Sequence, residues 1–162
     1  MSYKKSNSLL FLFALSVSGI IYADDTELAT SFSVTDKQFS YERNRRKIHI
    51  HLKPTMSSWI VNCDRTRAVV WGRAWSELKL GDRPFSRAYL VDIENDKVMG
   101  QITTTDGLFS VSFSKDRKLV RVDNWMFDLA SGRVLDESPW DINLVAESCP
   151  PFFGKQSDDQ TE

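Results

Sequence analysis

Two stretches of the chain match position by position. Tyr89 to Met99 reads YLVDIENDKVM, and Trp125 to Leu135 reads WMFDLASGRVL. In each, an apolar run meets Asp and one more apolar residue (Asp92-Ile93, Asp128-Leu129). A short polar turn follows, then a basic residue and Val (Lys97-Val98, Arg133-Val134). A chain carrying this pair must offer two equivalent places for one strand–turn–strand unit, which confines it to repeated antiparallel meanders. The second copy closes a longer run, FSVSFSKDRKLVRVDNWMFDLASGRVL from Phe109, which reads as consecutive short strands. Phe109, Val111 and Phe113 share one parity and Ser110, Ser112 and Ser114 the other, the alternation of a strand with one wet face.

The rest of the middle of the chain reads the same way. Lys47 to Lys53, KIHIHLK, alternates Ile48, Ile50 and Leu52 against His49 and His51, a half-buried strand. Strands are also predicted for residues 57–63, 67–75, 86–93 and 97–103, with Trp71 and Trp75 read as core. Phe32, Val34, Phe39 and Tyr41 mark a further strand in the otherwise polar segment 24–46. Turn residues punctuate the run at Asp64-Arg65-Thr66, Glu94-Asn95-Asp96, Asp106-Gly107, Lys115-Asp116-Arg117 and Ala130-Ser131-Gly132. The expected fold is mainly β: an antiparallel sheet or sandwich of meander units over residues 47–152.

The pattern changes near the end. Ser138-Pro139-Trp140-Asp141 has the order of a helix start, and Ile142, Val145, Ala146 and Cys149 fall at helical spacing. These predict one short helix over about 139–149, docked on the sheet, and then a disordered polar tail over 153–162. The two cysteines, Cys63 and Cys149, are an even count. In an oxidising compartment they are expected to pair. A catalytic thiol would need a histidine, and neither cysteine lies in a nucleophile motif.

The compartment is read from the first residues. Lys4 and Lys5 precede an apolar run from Leu9 to Tyr22, and Ala23 precedes Asp24-Asp25. That is the layout of a secretory signal peptide cleaved after Ala23, with an apolar core short of the ~20 residues that cross a bilayer. Cleavage would leave one domain of roughly 140 residues, exported to the periplasm, with no membrane insertion thereafter. A net charge of −1 gives no support for nucleic-acid binding. The run Arg43-Asn44-Arg45-Arg46-Lys47 is read as solvated surface, or as a steering patch for an acidic partner.

No catalytic, cofactor or metal motif accompanies these strands: no nucleophile elbow, phosphate loop or zinc signature. His49 and His51 project together, yet nothing in the sequence nominates further ligands. Asp92, Asp106, Asp116 and Asp128 lie in or beside turns, where Asp commonly caps backbone N–H groups. The chain is therefore expected not to be an enzyme, and to need no cofactor.

Phe113-Ser114-Lys115-Asp116 and Asp128-Leu129-Ala130-Ser131-Gly132-Arg133 resemble one blade of a β-propeller of the WD or quinoprotein-like kind. Asn62-Cys63-Asp64-Arg65 and Asp92-Ile93-Glu94-Asn95-Asp96-Lys97 form a degenerate earlier copy. About two such units fit, whereas a closed propeller needs at least four blades of roughly 40 residues. The signal peptide, the blade-like units and the cysteine-bearing C-terminal segment together resemble periplasmic immunity proteins that neutralise peptidoglycan-amidase effectors of type VI secretion systems. The resemblance covers about residues 60–150. It implies a protein partner, a cell-wall hydrolase effector, inhibited by a loop that enters its cleft. In that family a Gly/Ser loop lies between the equivalents of Leu119–Val122 and Trp125–Leu129. Here only Asp123-Asn124 stands there, and the cysteine number differs, so no inhibitory residue carries over. The candidate partner-binding residues are instead Thr103, Thr104, Thr105 and Asp106 in one connection, and Ser114, Lys115, Asp116 and Arg117 in another. The alternatives are an envelope carbohydrate-binding or lysozyme-inhibitor-type module, stacking sugars on Trp75 or Trp140, and an accessory subunit of an envelope complex.

Overall fold

The computed structural model describes residues 27–53, 56–73, 79–81, 83–105, 110–135, 144–149 and 152–155. The expected signal peptide, Trp75, Asp106 and Trp140 lie outside them. Among the described residues no helix is long and apolar enough to cross a membrane.

The chain builds three antiparallel sheets in sequence order. The first is a meander of β1 (Thr30–Thr35), β2 (Gln38–Arg43) and β3 (Arg46–His51). The second holds β4 (Ser58–Val61), β5 (Arg67–Arg73), β6 (Ser86–Asp92) and β7 (Lys97–Thr104), with β11 (Phe152–Lys155) added beside β4. The third holds β8 (Val111–Phe113), β9 (Leu119–Val122) and β10 (Trp125–Asp128). An isolated bridge from Val134 to Phe127 stands where the third sheet would have a fourth strand. The sequence repeat is thus structural: Asp92 ends β6 before β7, and Asp128 ends β10 before that vestigial strand.

The second sheet is buried on both faces. Ala68 and Val70 of β5, with Tyr89 and Val91 of β6, meet Val34, Phe39, Tyr41 and Ile50 of the first sheet in one core. Val69, Ala88, Leu90 and Ile102 meet Phe113, Val120, Val122 and Phe127 of the third in another. Every residue of β6 is buried. This explains Tyr89-Leu90-Val91: an unbroken apolar run in an antiparallel strand requires cover on each side. The architecture is a three-layer stack with the five-stranded sheet in the middle.

Three elements depart from the simpler expectation. The polar segment 24–46 carries β1 and β2, whose inward Phe39 and Tyr41 are fully buried. The helix predicted over 139–149 is not seen in its described part. Residues 144–149 run extended against the end of β8, with Ala146 bridged to Ser114, Lys115 N–H donating to Val145 O, and Glu147 N–H to Phe113 O. Pairing with an open sheet edge satisfies the same backbone groups that a helix would. Cys149 reaches Cys63 from this extended segment, and the two are disulfide-bonded with Cα atoms 5.9 Å apart. Finally, Phe152–Lys155 form a strand on the central sheet's edge, all but Phe152 within the stretch expected to be tail.

The two repeat copies touch where the second and third layers pack. Gly132 has φ +73°, and a Cβ there would lie 2.5 Å from Met99 Cβ and 2.7 Å from its carbonyl oxygen. A Cβ on Gly100 would strike the Gly132 carbonyl. Strand β7 bulges at this point, its register against β6 slipping between Leu90 and Val91. Gly132→Ala should therefore destabilise the fold by about 3 kcal/mol, combining left-handed backbone strain with overpacking. Urea unfolding checks this as a lowered midpoint at unchanged slope.

Candidate partner-binding face

In a meander, consecutive connections lie at opposite ends of the strands. The β4–β5, β6–β7 and β8–β9 turns, the turn after β10, and the β2–β3 turn all gather at one end of the stack. The end of β5, the start of β6, the end of β7 and the start of β8 lie at the other. The gathered turns are built by one device used twice.

Residues 62–67 and 114–119 correspond in their bonding. Asn62 N–H donates to Arg67 O at 3.0 Å, and Ser114 N–H to Leu119 O at 2.9 Å. Arg65 and Arg117, fourth in each turn, both take φ 59°. Asn62 Oδ1 accepts the N–H groups of Thr66 and Arg67 at 2.9 and 2.8 Å, as Ser114 Oγ accepts those of Lys118 and Leu119 at 3.2 and 2.9 Å. Asp64 and Asp116 each accept the next-but-one N–H. The later turn of each unit is capped the same way. Asp92 Oδ1 accepts Asn95 N–H at 3.2 Å, and Asp128 Oδ1 accepts Ser131 N–H at 2.7 Å. The Ser114 hydroxyl, then Lys118 N–H, hold the Asp116 carboxyl below the usual range. The Ser131 hydroxyl and N–H do the same for Asp128. These carboxylates are acceptors for their own turns, which is the role the sequence suggested for Asp92, Asp116 and Asp128.

Three arginines then fasten the turns across layers. Arg43 of the first sheet grips the β6–β7 turn: its Nη2 lies 2.9 and 2.8 Å from the two Asp96 oxygens, and its Nη1 donates to Glu94 O and Ile93 O. Tyr41 joins it, donating to Asp96 at 2.5 Å and Ile93 O at 3.2 Å. Burial, then Asp96, push the Tyr41 phenol far up. Arg67 donates to Thr66 O, Asp92 and Glu94 through Nη1, and through Nε to Leu129 O of the third sheet. Arg117 reaches back to Asp64 at 3.2 Å. Its side chain is 64% exposed, so that pair contributes at most about 1 kcal/mol.

The disulfide and Glu147 close the same end. Cys63 N–H donates to Glu147 Oε2 at 2.9 Å, and partial burial raises the Glu147 carboxyl above its ordinary range. Beside these turns runs a groove of about 440 Å³ walled by Leu28, Arg43, Asn44, Arg65, Thr66 and Glu94.

The candidate residues separate accordingly. Ser114, Lys115, Asp116 and Arg117 sit on the gathered end, but Ser114 is buried and its hydroxyl is used inside the turn. Lys115, Asp116 and Arg117 are exposed. Arg45, Arg46 and Lys47 are exposed near the same end, whereas Arg43 of that charge run is engaged with the β6–β7 turn. Thr103, Thr104 and Thr105 lie at the opposite end, with Thr103 and Thr105 exposed. His49 and His51 are exposed on the outer face of the first sheet, where His49 Nδ1 lies 2.9 Å from Ser40 Oγ and 2.6 Å from Gln38 Nε2. The Tyr41 hydroxyl and the Arg67 guanidinium, which organise this end, are not singled out by sequence pattern alone. The facing register of Arg67 and Asp92, at the ends of adjacent strands, was the available signal.

The fold defines an all-β protein of three stacked antiparallel sheets with its built turns at one end. No family model matches the chain, and no curated protein or solved structure matches it either.

Asp92 and Asp128 occupy equivalent places but unequal surroundings. Asp92 is buried against Arg67, while Asp128 caps a turn near solvent. Asp92→Ala should cost about 3 kcal/mol, because it removes the buried carboxylate from a hydrogen-bonded pair with the largely buried Arg67. Asp128→Ala should cost about 1 kcal/mol, the value of a lost cap. Equilibrium denaturation of the two variants measures the contrast. Glu147 gives the opposite sign to Asp116 and Asp128 in a pH series. Its raised carboxyl favours the folded state below the ordinary glutamate range, and that contribution is lost as pH rises through the folded value. Glu147→Gln keeps an acceptor for Cys63 N–H without titrating. Its stability relative to the unaltered chain should therefore climb as pH rises from the ordinary glutamate range, about 4.3, through the raised folded value.

Proposed function

We propose that this is an exported binding protein of the periplasm that inhibits a cell-wall hydrolase effector by covering its active-site cleft with the gathered turns. The observation that carries this reading is the grouping of the exposed cations. Arg45, Arg46 and Lys47 of the first layer and Lys115 and Arg117 of the third stand at one end of a stack whose turns are internally bonded. Layers about 10 Å apart put the two outer sets roughly 20 Å from each other, the span of a standard interface of ~800 Å² per partner. Turns held in shape before contact lose little entropy on docking, and exposed cations set among Glu42, Glu94 and Asp116 give the rim a charge pattern that a complementary partner would match. The disulfide is compatible with an oxidising compartment. Thr103, Thr104 and Thr105 do not share this face and are left outside the proposed contact.

The test is inhibition of a peptidoglycan amidase encoded beside this chain, assayed on purified cell wall. Lys115→Glu/Arg117→Glu and Arg45→Glu/Arg46→Glu should each weaken inhibition tenfold or more, while Thr103→Lys/Thr105→Lys leaves it unchanged. An amidase indifferent to excess protein would sink the function. Loss only in the threonine variant would move the contact to the other end. Capture of the protein alone on insoluble peptidoglycan would favour the carbohydrate-binding alternative.

A further inference from the structure

The disulfide has a third neighbour that its structural role does not use. The ligand atoms of Cys63, Cys149 and Glu147 all lie within 4.8 Å of one another, and each residue is partly exposed. Glu147 is held in place from both sides: its N–H is bonded to Phe113 O and its Oε2 accepts Cys63 N–H. We propose that, once the disulfide is reduced, the two thiolates and the Glu147 carboxylate form a three-ligand site for a thiophilic divalent cation, zinc above all.

The geometry asks for little movement. Tetrahedral zinc with Zn–S near 2.3 Å places neighbouring ligand atoms about 3.7 Å apart, inside the spread already present. Two sulfurs that part from a bond to that separation do so by side-chain rotation, across Cα atoms 5.9 Å apart. The fourth position is available from a cleft of about 130 Å³ lined by Ile60, Val111, Phe113, Ala146, Glu147 and Cys149. That is room for a water ligand. Two sulfurs and one oxygen suit zinc and cobalt and disfavour magnesium or calcium. The chemistry balances with a dithiol as reductant. It transfers two electrons and two protons to Cys63 and Cys149 and leaves as its own disulfide. Metal binding then expels the two thiol protons. Disulfide and metal would be alternative fastenings of residues 144–149 to the β4–β5 turn of the central sheet.

The experiment uses the full mature chain carrying His49→Ala/His51→Ala, so that imidazoles contribute nothing. After reduction by dithiothreitol and its removal without oxygen, Co²⁺ is titrated and absorption recorded. One equivalent should bind with a thiolate-to-cobalt charge-transfer band in the near ultraviolet. Zn²⁺ should abolish that band, and the oxidised protein should show none. Cys149→Ser should lose the band, and Glu147→Gln should weaken affinity tenfold or more while keeping it. If the reduced chain unfolds without metal, recovery of its β-sheet circular dichroism on adding Zn²⁺ reports the same binding. The proposal is overturned by a reduced chain that gives neither band nor recovery, or by Glu147→Gln binding cobalt as tightly as the parent.

Discussion

The pairing of Arg67 with Asp92 is the interaction on which the stack most depends. Asp92 is almost wholly out of water, and its carboxylate is satisfied by the Arg67 guanidinium, Asn95 N–H and the Asn95 amide. An isolated carboxylate in that position would be costly. With Arg67 in place, the same guanidinium reaches the Leu129 carbonyl, the residue after the second repeat's aspartate. One side chain therefore joins the start of β5, the end of β6 and the end of β10. The two repeat copies are not merely similar; they are tied together at equivalent points.

That tie matters because no layer is self-sufficient. The outer sheets have three strands each and one apolar face, a combination that is marginal alone. The central sheet has apolar residues on both faces, so it exposes Val69, Ala88 and Leu90 if the third layer leaves, or Val70, Tyr89 and Val91 if the first does. The cores are separate, but among the described residues each outer layer finds its apolar partner in the middle one. Unfolding should then be cooperative across all three. The cross-layer contacts of Arg43, Arg67 and Arg117 fasten the layers together at one end.

Much of this was legible in the chain. The repeat fixed where the turns fall, and Asp at the strand ends announced caps that the structure contains. The disulfide followed from count and compartment. What escaped notice had physical reasons. The stripe Ile142, Val145, Ala146, Cys149 is helical in spacing, but spacing cannot register an unpaired edge at β8 ready to accept extended chain. The unbroken Tyr89-Leu90-Val91 reads as a half-buried strand when only alternate residues are counted, and its second buried face appears once all of them are. Phe32, Val34, Phe39 and Tyr41 read as one strand in a polar segment where the structure has two, because the Asp36-Lys37 turn between them carries no Gly or Pro. Residues 103–105 precede β8 and residues 114–117 follow it, so they lie at opposite ends of that strand; strand order alone already separates them.

With the threonines set apart, the repeated turns acquire a clear role. The chemistry of each side chain decides its availability: Asn62, Asp64, Ser114, Asp116 and Asp128 spend their oxygens on their own turns. The Asp116 and Asp128 carboxylates, each accepting donors from its own turn, are held below the usual range and stiffly placed. Such groups are poorly suited to move protons, yet well suited to fix the residues between them. In residues 114–119 those intervening positions include Lys115 and Arg117, both exposed, with Arg117 set in a left-handed backbone conformation. The turn chemistry thus converts a flexible connection into a rigid mount for two cations. Under the proposed function such a surface would recognise a partner by shape and charge, and Arg117, shared between Asp64 and solvent, would be where the mount meets the presented face.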